Sequence, residues 1–499
     1  MELMGAGIFL LLLCVTSLML STVQKRMKQG VGKLPPGPTA LPFLGNALQL
    51  NGKEIFRVLL KLSEKYGSIF TIHLGSEPVV VLCGYEIMKE ALNDHGEWFA
   101  ARGSLPIMDR VNRGHGVINS NGERWKQLRR FSLMTLRNFG MGKRSIEERI
   151  QEEAQFLTEE LKKTKGLCYR LPFDPTFFFS RSVSNVISSV VFGDRFDYED
   201  GNFLILLSLI NDTFRIFSSI WVQLYNFFPN VMEYLPGPHK RLMKDIDQLK
   251  TFVAGRVKKH QETLDPTSPR DFIDCFLLKM EQEKNSTLSE FSMENLVITT
   301  LDLFSAGTET VSTTLRYGLM ILLKHPDVEA KIHEEIDRVI GQNRCPTNKD
   351  RNLMPYTEAV VHEIQRFIDI IPLGLPHAVT QDILFRQYVI PKGTTVYPML
   401  SSVLRDPKQY QNPESFDPGH FLDAQGCFKR NDAFMPFSSG RRVCLGEGLA
   451  HMEIFLFLTT ILQNFNLKSP VDPKEIDLSP EISGFGNMPR PYQLCLLPC

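Results

Sequence analysis

The chain has 499 residues, of which 43% are apolar and 22% are charged, and its 56 basic and 56 acidic side chains give a formal net charge of zero. This length predicts one large domain or two closely packed ones. The neutral charge gives no support for nucleic-acid binding, which usually requires a basic excess. The 35 phenylalanines are too many for a surface, so they predict a large aromatic core and favour an apolar pocket.

The cysteines are odd in number and scattered along the chain, and they form no C-x-x-C pair. They lie at positions 14, 83, 168, 275, 345, 427, 444, 495 and 499. This spacing argues against a zinc module or a small secreted fold held by disulfides. It favours a protein whose bulk faces a reducing compartment.

The N-terminal segment is predicted to anchor the chain in a membrane. The 22 residues from Leu3 to Gln24 carry no charge, which is enough helix to cross a bilayer core. Basic residues follow at once, at Lys25, Arg26, Lys28 and Lys33. A cleaved secretory signal, the weaker alternative, would carry its positive charges before the apolar run. By the positive-inside rule we expect a single-pass anchor at residues 1–24, with everything after Lys25 in the cytosol.

The residues after the anchor predict a stiff hinge and then a mostly helical body. Proline in the Lys33–Pro38 segment fixes φ and forbids helix. We therefore predict a basic, proline-rich hinge at 25–38 and a catalytic domain at 39–499. The main early strand signal is Phe70 to Cys83, broken by Gly75 and Pro78. Most of the remainder has helical periodicity, so the fold is expected to be mostly α with small sheets.

The proline-free segment from Phe291 to Leu323 predicts a helix of about nine turns. Its middle reads Ala306-Gly307-Thr308-Glu309-Thr310. Gly307 weakens a buried helix by about 1 kcal/mol relative to alanine, which suggests a local widening that lets a small molecule reach the helix axis. The neighbouring Glu309 and Thr310 suit proton delivery in a dry pocket. A core helix that merely contains several threonines is the alternative.

One cysteine lies between two glycines and behind an arginine, in the run Phe437-Ser438-Ser439-Gly440-Arg441-Arg442-Val443-Cys444-Leu445-Gly446. The apolar stretch from Leu445 to Leu462 predicts a buried helix directly after it. A thiol at the N-terminal end of a helix is expected to shift towards thiolate. A haem iron can use one thiolate as its only protein ligand.

The spacing F-x-x-G-x-R-x-C-x-G resembles the haem-binding signature of the cytochrome P-450 (haem-thiolate monooxygenase) superfamily. Segments such as NGERWKQLRRFS, SNVISSVVFGDRFDYED and GLPHAV resemble its vertebrate microsomal family 2, above all subfamilies 2A, 2B, 2F and 2G. The resemblance covers essentially the whole chain. It implies a helical prism around a buried haem b behind a single anchor in the endoplasmic reticulum membrane. The implied reaction uses O2 and electrons from NADPH to hydroxylate or epoxidise apolar xenobiotics, steroids or fatty acids such as arachidonate.

The resemblance also implies roles for individual residues. Cys444 would be the metal ligand, Thr310 would hydrogen-bond dioxygen or an ordered water, and Glu309 would relay protons. The remaining haem contacts would be Arg102, Trp125, Arg129, His377, Arg442, Phe437, Gly446 and Ala306. An ion-pair element of Glu363 and Arg366, completed by His420 in the position of an arginine, would hold the segment that carries the thiolate loop. Histidine there can titrate where arginine would not.

Two surfaces are implied in the same way. The substrate pocket would be lined by Val117, Ile118, Phe214, Phe217, Asp302, Ser305, Ile371, Leu375 and Phe485. Asp302 would attract an amine-bearing substrate or, as the favoured alternative, accept hydrogen bonds from backbone amides above the pocket. A basic docking face for NADPH–cytochrome P-450 reductase, and for cytochrome b5, would comprise Lys126, Arg130, Arg137, Lys143 and Arg441.

Two other functions are compatible with parts of this pattern. One is a haem-thiolate isomerase, dehydratase or peroxygenase, although such enzymes often lack the acid–alcohol pair. The other is a membrane-anchored carrier of haem or lipid, which would not depend on NADPH.

Overall fold

The computed structural model describes residues 34–50, 55–140, 146–163 and 172–499. The expected anchor at 1–24, residues 25–33 of the expected hinge, and Lys143 lie outside the described residues. Within the described ranges, no single helix has the length and apolar composition needed to cross a membrane. Two consecutive helices, Gly201–Phe217 and Ile220–Phe227, meet that test only as a pair, and a 59° bend separates them.

Helices dominate the fold, as the sequence predicts. In the first half they are α1 (Ile55–Tyr66), α2 (Tyr85–Lys89), α3 (Pro106–Asn112), α4 (Gly116–Asn119), α5 (Gly122–Gly140), α6 (Ile146–Lys163), α7 (Thr176–Val191), α8 (Gly201–Phe217), α9 (Ile220–Phe227) and α10 (Pro229–Met232). In the second half they are α11 (Pro238–Thr263), α12 (Phe272–Gln282), α13 (Met293–Lys324), α14 (Pro326–Val339), α15 (Pro355–Ile368), α16 (Ser401–Leu404) and α17 (Glu447–Asn464). Shorter helical turns lie at Glu90–Asp94, Asn348–Leu353, Pro418–Phe421, Gly440–Arg442 and Pro473–Glu475.

In the described ranges, the strands form one larger sheet and three two-stranded ones. They are β1 (Ile69–Leu74), β2 (Glu77–Leu82), β3 (Ala101–Arg102), β4 (His377–Ala378), β5 (Ile383–Phe385), β6 (Tyr388–Ile390), β7 (Thr395–Pro398), β8 (Phe465–Lys468), β9 (Ile482–Ser483), β10 (Asn487–Met488) and β11 (Cys495–Pro498). The larger sheet has the order β1-β2-β7-β4-β3. Strand β2 pairs with β7 in parallel only from Val79 onwards, so Pro78, which has no amide hydrogen, lies inside β2 without interrupting that pairing.

Helix α13 is the centre of the fold and extends over the predicted range. The Ser292 side chain caps its first turn by accepting a hydrogen bond from Asn295 N. The helix is continuous and packs against α4, α7, α8, α11, α15 and α17. The expected widening at Gly307 is wrong: a side chain there would come within 3.0 Å of Ile187 on α7. Glycine at this position therefore permits close packing of two helices.

Helix α17 begins two residues after the predicted start and is buried along most of its length. Its apolar residues join those of α13 and α15 in one hydrophobic cluster, with Phe455, Leu315 and Ile364 almost completely buried. Burial of each such side chain stabilises the fold by roughly 1.5–3 kcal/mol. This shared core places the loop before α17 opposite the middle of α13.

The proline-rich segment ends against the larger sheet. Thr71 N on β1 donates to Pro36 O at 2.8 Å. A side chain at Gly37 would lie 1.8 Å from Thr71 O, so only glycine fits this approach. The last residues of the expected hinge are thus in direct contact with the folded body.

Candidate active site

The loop that carries Cys444 is held by its own backbone. Gly440 has a φ of 71°, and a side chain there would lie 1.8 Å from Leu92 O, so this turn requires glycine. Cys444 N donates to Phe437 O at 3.1 Å, and Cys444 Sγ accepts from Gly446 N at 3.4 Å. These contacts fix the sulfur at the start of α17.

Burial raises the pKa of the Cys444 thiol above its ordinary value, and the nearby Glu447 carboxyl adds to this. The amides of Gly446 and Glu447 and the Arg129 guanidinium lower the pKa, but not enough to reverse the shift. The expectation that the helix end alone favours thiolate is therefore wrong, because desolvation outweighs the dipole. The Cys444 side chain is exposed although protein surrounds it, so it opens on an interior space. A coordinated cation deprotonates a thiol in such a place.

Five of the expected haem contacts, which the resemblance assigns to the haem propionates, converge from separate elements. They are Arg102, Trp125, Arg129, His377 and Arg442. Arg442 Nε donates to Ala100 O at 2.7 Å, and its Nη2 donates to Ser120 O at 2.8 Å. Its guanidinium stacks on the Trp125 ring at 3.8 Å from the ring centre. Arg129 on α5 donates to Val443 O at 2.6 Å, beside the cysteine.

Strand pairing brings Arg102 and His377 together, because they are direct partners across β3 and β4. Arg102 Nε donates to Ile118 O at 3.1 Å. His377 Nδ1 lies 2.7 Å from Phe99 O, which makes Nδ1 the protonated nitrogen. Burial, and then the charges of Arg102 and Arg442, lower the pKa of His377 to about 3. This histidine is therefore neutral, with its single ring proton directed at Phe99 O, and Nε2 can donate to an anion only when the ring gains a second proton.

The positive charges of this group have no counter-charge within the described part of the chain. Among the described residues, the side-chain hydrogen bonds of Arg102, Arg129 and Arg442 go to backbone carbonyls and to the Asn121 amide oxygen, and none of the three pairs with a carboxylate. Burial and mutual repulsion lower the pKa of Arg102 to about 9 and that of Arg442 to about 8. Arg102 Nη1 and Trp125 Nε1 are buried donors without a partner among the described residues. Since buried donors and charges are normally paired, this donor set fits an anionic group such as a pair of propionates.

A small cavity of about 30 Å³ lies between α13 and α17. Its lining residues are Thr310, Val311, Thr314, Gln365, Ile368, Ile370, Pro436, Phe437, Ala450 and Ile454. Most are apolar, as a flat hydrophobic ligand requires. Of these, only Thr310 and Phe437 are expected from the motifs. Thr314 lies one helical turn after Thr310, so this spacing could have indicated that Thr314 also lines the cavity.

The two residues of the acid–alcohol pair have different surroundings. Thr310 lines the cavity, and its Oγ1 donates to Ala306 O at 2.8 Å. The Glu309 carboxyl is buried and accepts hydrogen bonds from Asn211 Nδ2 at 3.0 Å and Thr313 Oγ1 at 3.2 Å. Burial raises the pKa of Glu309 to about 7. At neutral pH the carboxyl can therefore hold or release a proton.

The residues of the expected ion-pair element are in contact. Arg366 Nε and Nη2 each donate to the Glu363 carboxylate at 2.7 Å, and both side chains are fully buried. Arg366 also donates to the carbonyls of Leu404, Pro413 and Ser415. His420 Nδ1 lies 3.2 Å from both Glu363 oxygens. This element joins α15 to the segment that leads to the cysteine loop.

The residues expected to line the substrate pocket fall into two contacting groups. The Phe485 ring centre lies 5.9 Å from those of Phe214 and Phe217. Asp302 Oδ2 accepts from Ile118 N at 3.1 Å, next to the buried Val117. Burial raises the pKa of Asp302 to about 7. Ser305, Ile371 and Leu375 are half-buried.

The side chains expected on the docking face are exposed where they are described. Arg130 and Arg137 lie on α5, as does Lys126, which pairs with Glu123 at 2.7 Å. Arg441 pairs with Glu97 at 2.5 Å. These neighbouring acids reduce the positive charge of the face.

This arrangement of a cysteine loop, a buried cationic cluster and a long central helix is that of a haem-thiolate protein. The sequence profile of the family described as Cytochrome P450 matches residues 35–496, so the chain belongs to the cytochrome P450 family. Proteins of this family bind haem and react with O2, using electrons that come from NADPH through a reductase. The chain is therefore a haem monooxygenase that oxidises small apolar molecules.

Within the family, the chain is similar to members of family 2. It is 58% identical over 497 residues to cytochrome P450 2G1 of Oryctolagus cuniculus, with both chains covered completely. It is 59% identical over 491 residues to cytochrome P450 2C11 of Rattus norvegicus, covering 98% of this chain and 97% of the relative. It is 57% identical over 497 residues to cytochrome P450 2A13 of Homo sapiens, covering 99% and 100%. The family 2 resemblance is thus confirmed, and subfamily 2C is among the similar ones.

Proposed function

We propose that this protein is a microsomal monooxygenase in which Cys444 is the iron ligand and Arg102, Trp125, Arg129, His377 and Arg442 hold the haem propionates. Phe437, Gly446 and Ala306 complete the haem contacts. The observation that carries this proposal is the buried cationic cluster without a described counter-charge, which lies beside the cysteine loop. An anion at this place pairs donors that otherwise have no partner.

Haem, when bound through a thiolate, supplies the chemistry that splits O2 and oxidises the substrate. The chain provides the surroundings for that chemistry. The apolar side chains that line the cavity exclude water, which strengthens every electrostatic contact inside. The Thr310 hydroxyl lies at the cavity, where Oγ1 can accept a hydrogen bond while its own proton is donated to Ala306 O. Glu309 holds a proton that its pKa of about 7 allows it to release at neutral pH.

We further propose that Phe214, Phe217 and Phe485, together with Val117 and Ile118, bind the substrate. Ser305, Ile371 and Leu375 belong to the same pocket. Its aromatic and aliphatic character suits small aromatic xenobiotics, steroids or unsaturated fatty acids such as arachidonate. The hydrogen bond from Ile118 N to Asp302 favours a structural role for this carboxyl over the binding of an amine.

The location and the partners of the protein follow from the same proposal. Residues 1–24 anchor it in the endoplasmic reticulum membrane, residues 25–38 form the hinge, and residues 39–499 face the cytosol. Lys126, Arg130, Arg137, Lys143 and Arg441 dock the acidic reductase, and cytochrome b5 uses the same face. Charge reversal at Arg130 and Arg137 together is expected to slow reduction in a salt-dependent way.

The ligation is tested by replacing Cys444 with alanine or histidine. Both variants are expected to lose the red-shifted Soret band of the reduced carbonyl complex, because that band requires thiolate ligation. Cys427→Ala, which changes an exposed cysteine elsewhere, is the control and should keep the band. A Cys444→Ala protein that retains the band would contradict the assignment.

A further inference from the structure

Helix α8 lies over the middle of α13, and one side-chain hydrogen bond connects it to Glu309. Asn211 Nδ2 on α8 donates to Glu309 Oε1 at 3.0 Å. The Glu309 carboxyl is almost completely buried, so this bond forms away from water and is correspondingly strong. The two residues are far apart in the sequence, and no motif connects them.

Among the described residues, the other hydrogen bond to the Glu309 carboxyl comes from its own helix. Thr313 Oγ1 donates to the same oxygen at 3.2 Å, and the charges of Arg316 on α13 and Arg215 on α8 act on the carboxyl from a greater distance. Thr310, by contrast, donates to Ala306 O. In this arrangement the carboxyl is therefore held by Asn211 on α8 and by Thr313 on its own helix, and the neighbouring Thr310 hydroxyl is not one of its donors.

The same part of α8 also contacts the substrate residues at the C-terminal hairpin of β9 and β10. The Phe214 ring meets Phe485 at 5.9 Å, and Arg215 forms an ion pair with Glu481 at 2.9 Å. Just after the helix, Ser218 Oγ accepts from Gly486 N at 3.0 Å. Asn211, Phe214, Arg215 and Ser218 are spaced three, four and seven residues apart, so they share one side of the helix. A ligand that shifts this part of α8 moves Phe214 and Asn211 together.

We propose that Asn211 is a positioning residue that ties the Glu309 carboxyl to α8, so that binding of a substrate against Phe214 changes the position of this carboxyl. The inference rests on the proposed role of Glu309 in proton delivery. While the Asn211 bond is in place, Glu309 Oε1 is directed towards α8. When a substrate moves α8, the bond loosens and the carboxyl becomes free to turn towards the cavity. Proton delivery is then restricted to the substrate-bound protein.

The test uses the full-length, haem-loaded protein with its reductase and compares NADPH consumption with and without a substrate. Asn211→Leu keeps the size of the side chain and removes the donor. It is expected to lower the ratio of substrate-dependent to substrate-free consumption at least threefold. The pH profile of NADPH consumption should also move to higher pH, because the Asn211 hydrogen bond lowers the pKa of Glu309 and the variant lacks this bond. Asn211→Gln, which keeps an amide donor, should restore most of the ratio.

A second readout does not depend on turnover. Hydrogen exchange of the α8 amides in the resting protein should be faster in Asn211→Leu than in the wild type, because a buried hydrogen bond that holds the helix is lost. Asn202→Leu changes an exposed asparagine in the first turn of the same helix and is the matched control for both readouts.

The outcomes separate the two proposals. Glu309→Gln should lower product formation per NADPH if Glu309 delivers protons. If it does so, but Asn211→Leu gives the same consumption ratio, pH profile and hydrogen-exchange rates as the control Asn202→Leu, the proposed role of Asn211 is wrong and that of Glu309 stands. If Glu309→Gln has no effect, both are wrong. A lower ratio with an unshifted pH profile would show that Asn211 is only structural.

Discussion

Two buried groups of charges in this protein differ in how they are paired. In the network of Glu363, Arg366 and His420, every charge meets a partner: Arg366 donates to a carboxylate and to three carbonyls. In the cluster of Arg102, Arg129 and Arg442, the donors meet carbonyls, and no carboxylate of the described residues is in ion-pair contact. Both groups are held by residues distant in sequence.

Whether a buried charge is paired within the folded chain distinguishes a structural ion pair from a binding site. A paired network is complete in the folded chain, and removal of one member leaves the other charge buried and unpaired. An unpaired cluster is a source of repulsion until an anion arrives, so it is tolerated where a ligand supplies the missing charge. Substitutions in the two groups should therefore act on different properties of the protein.

The largest effect is expected for Glu363→Gln. The change leaves the fully buried Arg366 without its carboxylate and should destabilise the fold by about 3–5 kcal/mol. Thermal unfolding and the yield of haem-loaded protein measure this. Glu281→Gln is the matched control, because Glu281 and Lys284 form an exposed pair with the same spacing, and it should cost less than about 1 kcal/mol. Equal losses in the two variants would contradict the structural reading of the network.

A smaller effect of a different kind is expected for Arg102→Leu. Loss of a charge-assisted contact of about 1.5–3 kcal/mol should speed the transfer of haem to an acceptor apoprotein roughly tenfold or more. The unfolding of the protein without haem should not become easier, because repulsion with Arg129 is removed. Arg386→Leu, at an exposed pair with Glu90, controls for loss of charge. If Arg102→Leu unfolds more easily without haem and loses haem at the wild-type rate, Arg102 is a structural residue and does not bind haem.

His420 gives the paired network a pH dependence. Its ring nitrogens face only acceptors, the Glu363 carboxylate at 3.2 Å and Gln411 O at 2.5 Å. Burial opposes the charge, but these two acceptors outweigh it and raise the pKa of His420. A raised pKa adds stability that is complete below the unfolded value of about 6.5 and is lost as the pH rises through the folded value.

We therefore expect the unfolding free energy of the wild type to decrease more steeply above pH 6.5 than that of His420→Gln. Denaturant titrations over this pH range measure the two slopes. Parallel curves would show that the histidine is not charged in the folded protein.

The smallest effect is expected for Asp302→Asn, at a buried carboxyl that neither group contains. Asparagine keeps an oxygen that can accept from Ile118 N, so the loss of stability should be below about 1 kcal/mol. Neutral and cationic ligands should weaken by the same factor in spectral binding titrations. Selective loss of cationic ligands would instead make Asp302 a substrate-binding residue.

The parts of the protein that local patterns determine could be predicted from the sequence. Helices α13 and α17 follow from long apolar stretches without proline, and the turn before Cys444 follows from its glycines. The resemblance to the family also nominated residues that local patterns cannot connect, such as Arg102 and His377, and the structure brings these two together because β3 pairs with β4. Neither local patterns nor the resemblance predicted which distant residues surround each residue of the site.

Three properties of the site illustrate this limit. The pKa of Cys444 is raised because burial outweighs the helix end, and burial is not visible in a ten-residue motif. Gly307 packs against Ile187, a contact between two helices that the pattern of α13 alone does not contain. Asn211 reaches Glu309 from another helix, and the lining residues Gln365 and Ile370 come from outside α13 and α17.

The central claim is that the cluster of Arg102, Arg129 and Arg442 is completed by the carboxylates of haem. The most direct test loads the protein with haem or with its dimethyl ester, which has the same ring and no propionate charge, and measures the rate of loss to an acceptor protein. We predict that the wild type loses the ester at least about tenfold faster than haem and that Arg102→Leu discriminates much less. Equal rates for haem and ester in the wild type would contradict the claim.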